Sequence, residues 1–369
     1  MRLRRAARSF VLSALSLLAL GTWPVGTSAQ TAEKLSKGPI IGDIRADGAT
    51  VTWVTTRRIG RFRTTAGSRL NVENREFRQV DLRGLEPGKT YDVDVGTDEM
   101  PIPVSFMTAT VGDAPYSFVA YGDTRTRHDV HRKIVERILE EKPAFVLHTG
   151  DLVSNGDVPE DWDKFFEVSG DLLARTGFYP IPGNHERNAA IFAKYFAVPG
   201  GNMHHFSFDW GNTHFAAVDS DEIGDSKEAK EAFVQSQIEW LRDDLKKNRK
   251  PLVFVFMHHP LYTAVERRTE SAAKLAAKFE SVLVEGRVAA AFYGHDHNYQ
   301  HHIAKGIHHI VTGGGGAPLY DVKPIPEITV KTLKTENYVR VRVEGTKAKL
   351  EAIDLQGTVL DSFEIQPRQ

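Results

Sequence analysis

Five stretches of the chain share one design: an apolar run, a turn, and then an aspartate, asparagine or histidine. Ser117–Tyr121 ends in Gly122-Asp123, and Ala144–Leu147 runs into His148-Thr149-Gly150-Asp151. Gly177–Ile181 leads into Pro182-Gly183-Asn184-His185-Glu186, and Leu252–Met257 into His258-His259-Pro260. The last, Val288–Tyr293, ends in Gly294-His295-Asp296-His297. Short apolar runs bounded by Gly and Pro read as buried strands. The polar side chains then stand at strand carboxyl ends, the edge where open α/β sheets build ligand sites. Oxygen and imidazole donors suit hard and borderline divalent ions. One carboxylate, Asp151, can bridge two ions about 3.5–4 Å apart, the spacing of two-metal hydrolytic sites. Taken singly, Gly-Asp is an ordinary turn, Asn-His a capping pair, and a histidine after a strand a hydrogen-bonded structural residue. Five in this order point to a metal centre.

The elements that must position these groups alternate from Tyr116 onward. A helix is expected over His131–Glu141, with Val130, Ile134 and Ile138 on one face, and another over Asp161–Arg175. Val234, Ile238, Leu241 and Leu245 mark a third, and Leu275, Phe279 and Val282 a fourth. Phe206–Asp209 and His214–Val218 read as a strand pair, and Tyr338–Ile365 as two or three strands. Alternation of this kind predicts a layered α/β domain over residues 115–369. Residues 30–114 carry β signals only. Thr50–Val54 and Tyr91–Val95 alternate, and Leu85–Tyr91 resembles the tyrosine corner of immunoglobulin-like and fibronectin type III sandwiches, with Trp53 as the buried aromatic. A small N-terminal β-sandwich is expected there.

The 369 residues allow two domains with a substantial core. Met1–Ser9 holds four arginines and no acid, Phe10–Leu20 is apolar, and small residues end at Ala29. Residues 1–29 therefore read as a secretory signal cleaved near Ala29, predicting a secreted or periplasmic protein. The apolar stretch is too short for a stable membrane anchor. No basic block suggests a nucleic-acid surface. The chain has no cysteine, which excludes disulfides and thiolate metal sites.

The ordered set Gly122-Asp123, Gly150-Asp151, Gly183-Asn184-His185-Glu186, Val255–His258 and Gly294-His295-Asp296-His297 resembles the calcineurin-like metallophosphoesterases. The leading β region, the Val-x-x-His form and the glycine run before Ala317 make it look like their purple acid phosphatase branch. That resemblance implies a four-layer α/β/β/α domain and two metal ions, with iron, zinc and manganese all suited to the ligands. It implies Asp123, Asp151 and His297 for the first ion, and Asp151, Asn184, His258 and His295 for the second. His185 would serve the leaving group as general acid, with Glu186 as the partner of a histidine. The implied reaction is hydrolysis of small-molecule phosphate monoesters by a hydroxide formed on the metals. A phosphodiesterase, or a degenerate phosphate-binding protein, is the alternative.

Two positions depart from the family pattern. Arg125 stands where many members have a histidine, and Ser154 where the purple branch has a tyrosine. The first ion thus lacks a ligand, leaving water, His128 or His131 to complete its shell. Arg125 is expected either to contact substrate by clamping a phosphate oxygen or to pair with an acid at the surface, and His259 either to face the substrate or to stabilise the sheet edge. The glycines at 313–316 are expected to be either an anion cradle or a plain turn.

Overall fold

The apolar strands owe their uniform character to being covered on both faces. The protein is described here by a computed structural model covering residues 33–63 and 69–368, so the expected leader lies outside the described residues. Five strands come first: β1 (Lys34–Arg45), β2 (Gly48–Arg63), β3 (Arg69–Arg83), β4 (Thr90–Thr97) and β5 (Met100–Met107). Next are β6 (Tyr116–Tyr121), α1 (His128–Glu141), β7 (Phe145–His148), α2 (Pro159–Leu173), β8 (Gly177–Pro180) and α3 (Ala190–Tyr195). The second half holds β9 (His205–Trp210), β10 (Thr213–Val218), α4 (Lys227–Lys247), β11 (Leu252–Phe256), α5 (Thr269–Glu285) and β12 (Ala290–Tyr293). The chain closes with β13 (Tyr299–Ala304), β14 (Ile307–Thr312), β15 (Thr329–Leu333), β16 (Tyr338–Glu344), β17 (Lys347–Ile353) and β18 (Val359–Ile365).

Two large sheets result. One has nine strands in the order β18-β17-β16-β6-β7-β8-β1-β2-β3, the other seven in the order β15-β13-β14-β12-β11-β10-β9. At their centres β6, β7 and β8 run parallel, as do β10, β11, β12 and β14. The period of two sorts their side chains. Phe118, Ala120, Phe145 and Leu147 meet Phe215, Phe254, Phe256 and Phe292 between the sheets. The alternate residues Val119, Tyr121 and Val146 pack under α1 and α2, and Val253, Val255, Ala291 and Tyr293 under α4 and α5. The layers therefore run helix, sheet, sheet, helix. α4 shows why such helices start where they do: the Ser226 side chain accepts from the Ala229 N–H, Glu228 lies in the first turn, and Lys246 and Lys247 lie in the last.

The N-terminal strands differ from a free-standing sandwich. β1–β3 continue the nine-stranded sheet, because β1 pairs in parallel with β8 at Ile41 and Gly177. Only β4 and β5 form a sheet of their own, and Val95, Ile102, Val104 and Phe106 pack into the core shared by both large sheets. Locally the tyrosine-corner bond is present: the Glu86 N–H donates to the Tyr91 hydroxyl at 2.9 Å.

Candidate metal centre

Parallel strands put all their carboxyl ends on one edge, and here the two sheets bring those edges together. Asp123 follows β6, Asp151 follows β7, Asn184 and His185 follow β8, His258 follows β11, and His295 and His297 follow β12. Three of these residues are held in left-handed backbone: Asp123 at φ 58°, Asp151 at φ 56° and His295 at φ 66°. Such conformations cost on the order of 1–3 kcal/mol each and persist where the surroundings over-determine them, as at functional sites. The hairpin-like crossing of the loops does that here. Asp123 N–H donates to the Gly150 carbonyl, Thr124 N–H to that of Asp151, and Ala317 N–H to that of Asp123.

Asp123, Asp151 and His297 each offer one atom within 4.8 Å of the others, and all three are buried. His297 Nδ1 faces the Pro318 carbonyl at 2.7 Å and must donate to it, so the Nε2 lone pair faces Asp123 Oδ1 at 3.4 Å. A second group comprises His258, His259 and His295. His258 Nδ1 donates to the Thr149 carbonyl at 2.8 Å. Its Nε2 lies 3.3 Å from Asp151 Oδ1, 3.1 Å from Asn184 Oδ1 and 3.3 Å from His295 Nδ1. Asn184 Oδ1 is also 3.1 Å from His295 Nδ1. An acceptor surrounded by acceptors is stable only around positive charge. Burial opposes a charge on His258, yet the Asp151, Asp123 and Asp221 carboxylates outweigh it and lift the imidazole to about 9. A bound cation meets the same demand, and the donor set fits one. Burial likewise works against the Asp151 carboxylate, but His258, His185 and Arg125 hold it below the usual range.

Around these groups four further placements matter. Glu186 partners no histidine; its carboxylate accepts the N–H groups of Asp151 (2.9 Å), Gly183 (2.7 Å) and Val153 (3.2 Å). Burial and the nearby Asp151 push its carboxyl up to about 8. His131 faces Ser169 and Phe165 in the helix layer and completes no metal shell. The glycines at 313–316 are explained by close packing. They pack on the Asp123 loop, where a side chain on Gly313 would overlap Asp123 Oδ2 and one on Gly315 the Gly122 carbonyl. Arg125 turns inward: its Nε–H donates to Asp151 Oδ2 at 3.2 Å and its Nη2 lies 3.4 Å from His297 Nε2.

His185 lies at the rim, its backbone N–H on Asp151 Oδ1 and its Nδ1–H donated to the Ser154 carbonyl at 2.7 Å. Its Nε2 is 3.9 Å from Asp151 Oδ2. His259 lies beside His295 with ring centroids 4.2 Å apart and planes tilted by 55°, and its Nδ1 meets Ser220 Oγ at 3.0 Å. It faces a cavity of about 580 Å³ that is also lined by Asp221, Arg267, Arg268 and Lys274. Asp219 and Asp221 escaped the sequence reading, although β10 ends in Val218-Asp219-Ser220-Asp221, the same apolar-run signal. Asp219 receives His204 Nδ1 at 2.8 Å and the Asp221 N–H. Burial and Asp219 together raise the Asp221 carboxyl to about 7.

Comparisons with known proteins fall on this same region. Residues 116–299 match the calcineurin-like phosphoesterase family, a span holding every candidate ligand. Purple acid phosphatase 23 of Arabidopsis thaliana is 26% identical over 280 residues, 63% of this chain and 58% of that one. The same plant's "probable inactive purple acid phosphatase 9" is 24% identical over 276 residues, 59% of this chain and 42% of the relative. The chain thus spans about half the length of these curated relatives. The purple acid phosphatase PPD1 from yellow lupin (Lupinus luteus) seeds superposes with a TM-score of 0.68 at 18% identity, covering 92% of this chain and 75% of that one. The chain carries a calcineurin-like metallophosphoesterase domain with purple acid phosphatase homologues.

Proposed function

We propose that the protein is an exported, dinuclear-metal phosphoesterase that hydrolyses phosphate monoesters. The observation that carries this reading is the cluster of inward lone pairs on His258, His295, His297 and Asn184 around the buried Asp123 and Asp151 carboxylates. Asp123, Asp151 and His297 would hold one ion; Asp151, Asn184, His258 and His295 the other. Bound there, two such ions supply Lewis acidity to the phosphoryl group and acidify a water. Thr149 and Pro318 fix the tautomers of two of the ligating rings through their carbonyls. The Ser154 carbonyl holds the His185 Nδ1–H, so that the imidazolium would carry its transferable proton on Nε2, for delivery to the leaving oxygen. The cavity beside His259 accommodates the leaving group. Export rests on the Met1–Ala29 leader pattern, and residues 30–114 are proposed as a β unit that orients the catalytic region.

A second reading, a phosphate-binding protein on the same scaffold, is favoured by Arg125 within the first ion's ligands and by the relative named as inactive. The test is metal content with turnover of aryl phosphate mono- and bis-esters, for wild type and Asp151→Ala. Near two metals per chain with monoester turnover, both collapsing in Asp151→Ala, is the expected result. Preference for bis-esters would make it a diesterase. Full occupancy without turnover of any ester would move the assignment to the binding protein.

A further inference from the structure

We propose that Arg125 is a built-in cation at the first ion's position, so that the chain binds one metal tightly and the second only weakly. This rests on the two-metal reading above and deepens it. The guanidinium bridges Asp151 Oδ2 (3.2 Å) and His297 Nε2 (3.4 Å), two of the three donors available to the first ion. Among the described residues its one ion pair is with Asp151, and its side chain is 15% exposed. The inward aim is set by backbone. Thr124 N–H and Arg125 N–H both point at the Asp151 carbonyl, at 3.0 and 3.4 Å. Two residues on, the Arg127 guanidinium is pinned by the Gly316 and Ala317 carbonyls and by Glu336. The loop between these anchors is short, which fixes the Arg125 backbone beside the site.

Charge accounts for the consequence. Asp123 and Asp151 supply two negative charges, and a divalent ion held by Asp151, Asn184, His258 and His295 with Arg125 already exceeds them. A further divalent ion among Asp123, Asp151 and His297 meets a guanidinium on its own ligands, and like charges at such range disfavour one another strongly. The second set contains no arginine, and Arg125 touches it only at Asp151 Oδ2, on the residue that the two sets share. Metal entry at the first position therefore requires Arg125 to swing out, toward solvent or an incoming phosphate oxygen.

The test is calorimetric titration of Mn²⁺ into the demetallated full-length protein and three variants, with thermal melting to confirm the fold. Wild type is expected to show one tight site and a second weaker by roughly tenfold or more. Arg125→Gln and Arg125→His remove the permanent charge and should tighten the weak site by about that factor, whereas Arg125→Lys should leave it weak. Two sites of equal strength in wild type, or a weak site unmoved in both Arg125→Gln and Arg125→His, would overturn the proposal while leaving the two-metal reading intact. Weakened phosphate binding with unchanged metal affinities would make Arg125 a substrate clamp and also overturn it. No Mn²⁺ binding in any protein would defeat the two-metal reading itself.

Discussion

Single residues decide what kind of metal centre this is. Ser154 contributes a backbone carbonyl to His185, and no phenol stands at its position. Iron(III) bound here would lack tyrosinate and the charge-transfer band that comes with it. The iron-loaded protein is therefore expected to be colourless, and a visible absorption spectrum checks this directly. At this scale the clustering of the candidate ligands was legible, because each follows an apolar run whose end can be read from composition. The task of Glu186 was not legible. Three backbone N–H groups converge on its carboxylate only after the Asp151 and Asn184 loops have crossed. Arg125 was legible as a departure from the family pattern, whereas its placement between Asp151 and His297 depends on anchors at Gly316 and Ala317, nearly two hundred residues away.

Elements convert the ligand list into geometry, and their glycines matter where loops touch. A side chain on Gly294 would come within 2.5 Å of Asp123 Oδ2, so the last motif can lie against the first only with glycine there. Buried strands were readable wherever hydrophobicity drives them. β13 was not, since Gln300, His301 and His302 are buried there by pairing with one another's neighbours. His301 holds Asp361 and His308, and His302 holds Thr329 and Gln300. A pattern of apolar residues cannot reveal polar groups that satisfy each other. His214 on β10 ties elements in the same way, with Nδ1 on Asp209 of β9 and Nε2 on Asp244 of α4, at 2.8 and 2.7 Å. Burial opposes its charge, but the two carboxylates prevail and raise it to about 9. The cation's contribution is thus full below pH ~6.5 and is lost as pH rises through about 9. His214→Gln is expected to cost on the order of 3 kcal/mol at pH 6 and much less near pH 10. Denaturant melts at both pH values measure the difference.

Across the whole molecule, the two sheets are joined by an aromatic layer in which Phe145 touches Phe118, Tyr179, Phe208, Trp210 and Phe215. The layered α/β core was legible, because strand–helix alternation and doubly buried strands leave a strong local signal. The attachment of the N-terminal strands was not, since it rests on long-range pairing with no local signature. Ile44 N–H donates to the Tyr179 hydroxyl (3.0 Å), which donates back to the Ile44 carbonyl (3.2 Å). Thr52 Oγ1 donates to the Tyr195 carbonyl, and Lys37 pairs with Asp163 on α2. Ile41, Ile44, Val51 and Trp53 also share the main core. Removing residues 1–114 would strip the edge of β8 and expose that apolar surface, a template for aggregation. A chain beginning at residue 115 is therefore expected to be insoluble, or to melt at least ~10 °C below the full chain, since in a domain this size each 1 kcal/mol lost lowers Tm by about 2–4 °C. Two independent units would instead give a soluble truncation that melts unchanged and binds the same metal. Expression of the truncation, followed by calorimetric melting and metal titration, separates a single folding unit from two.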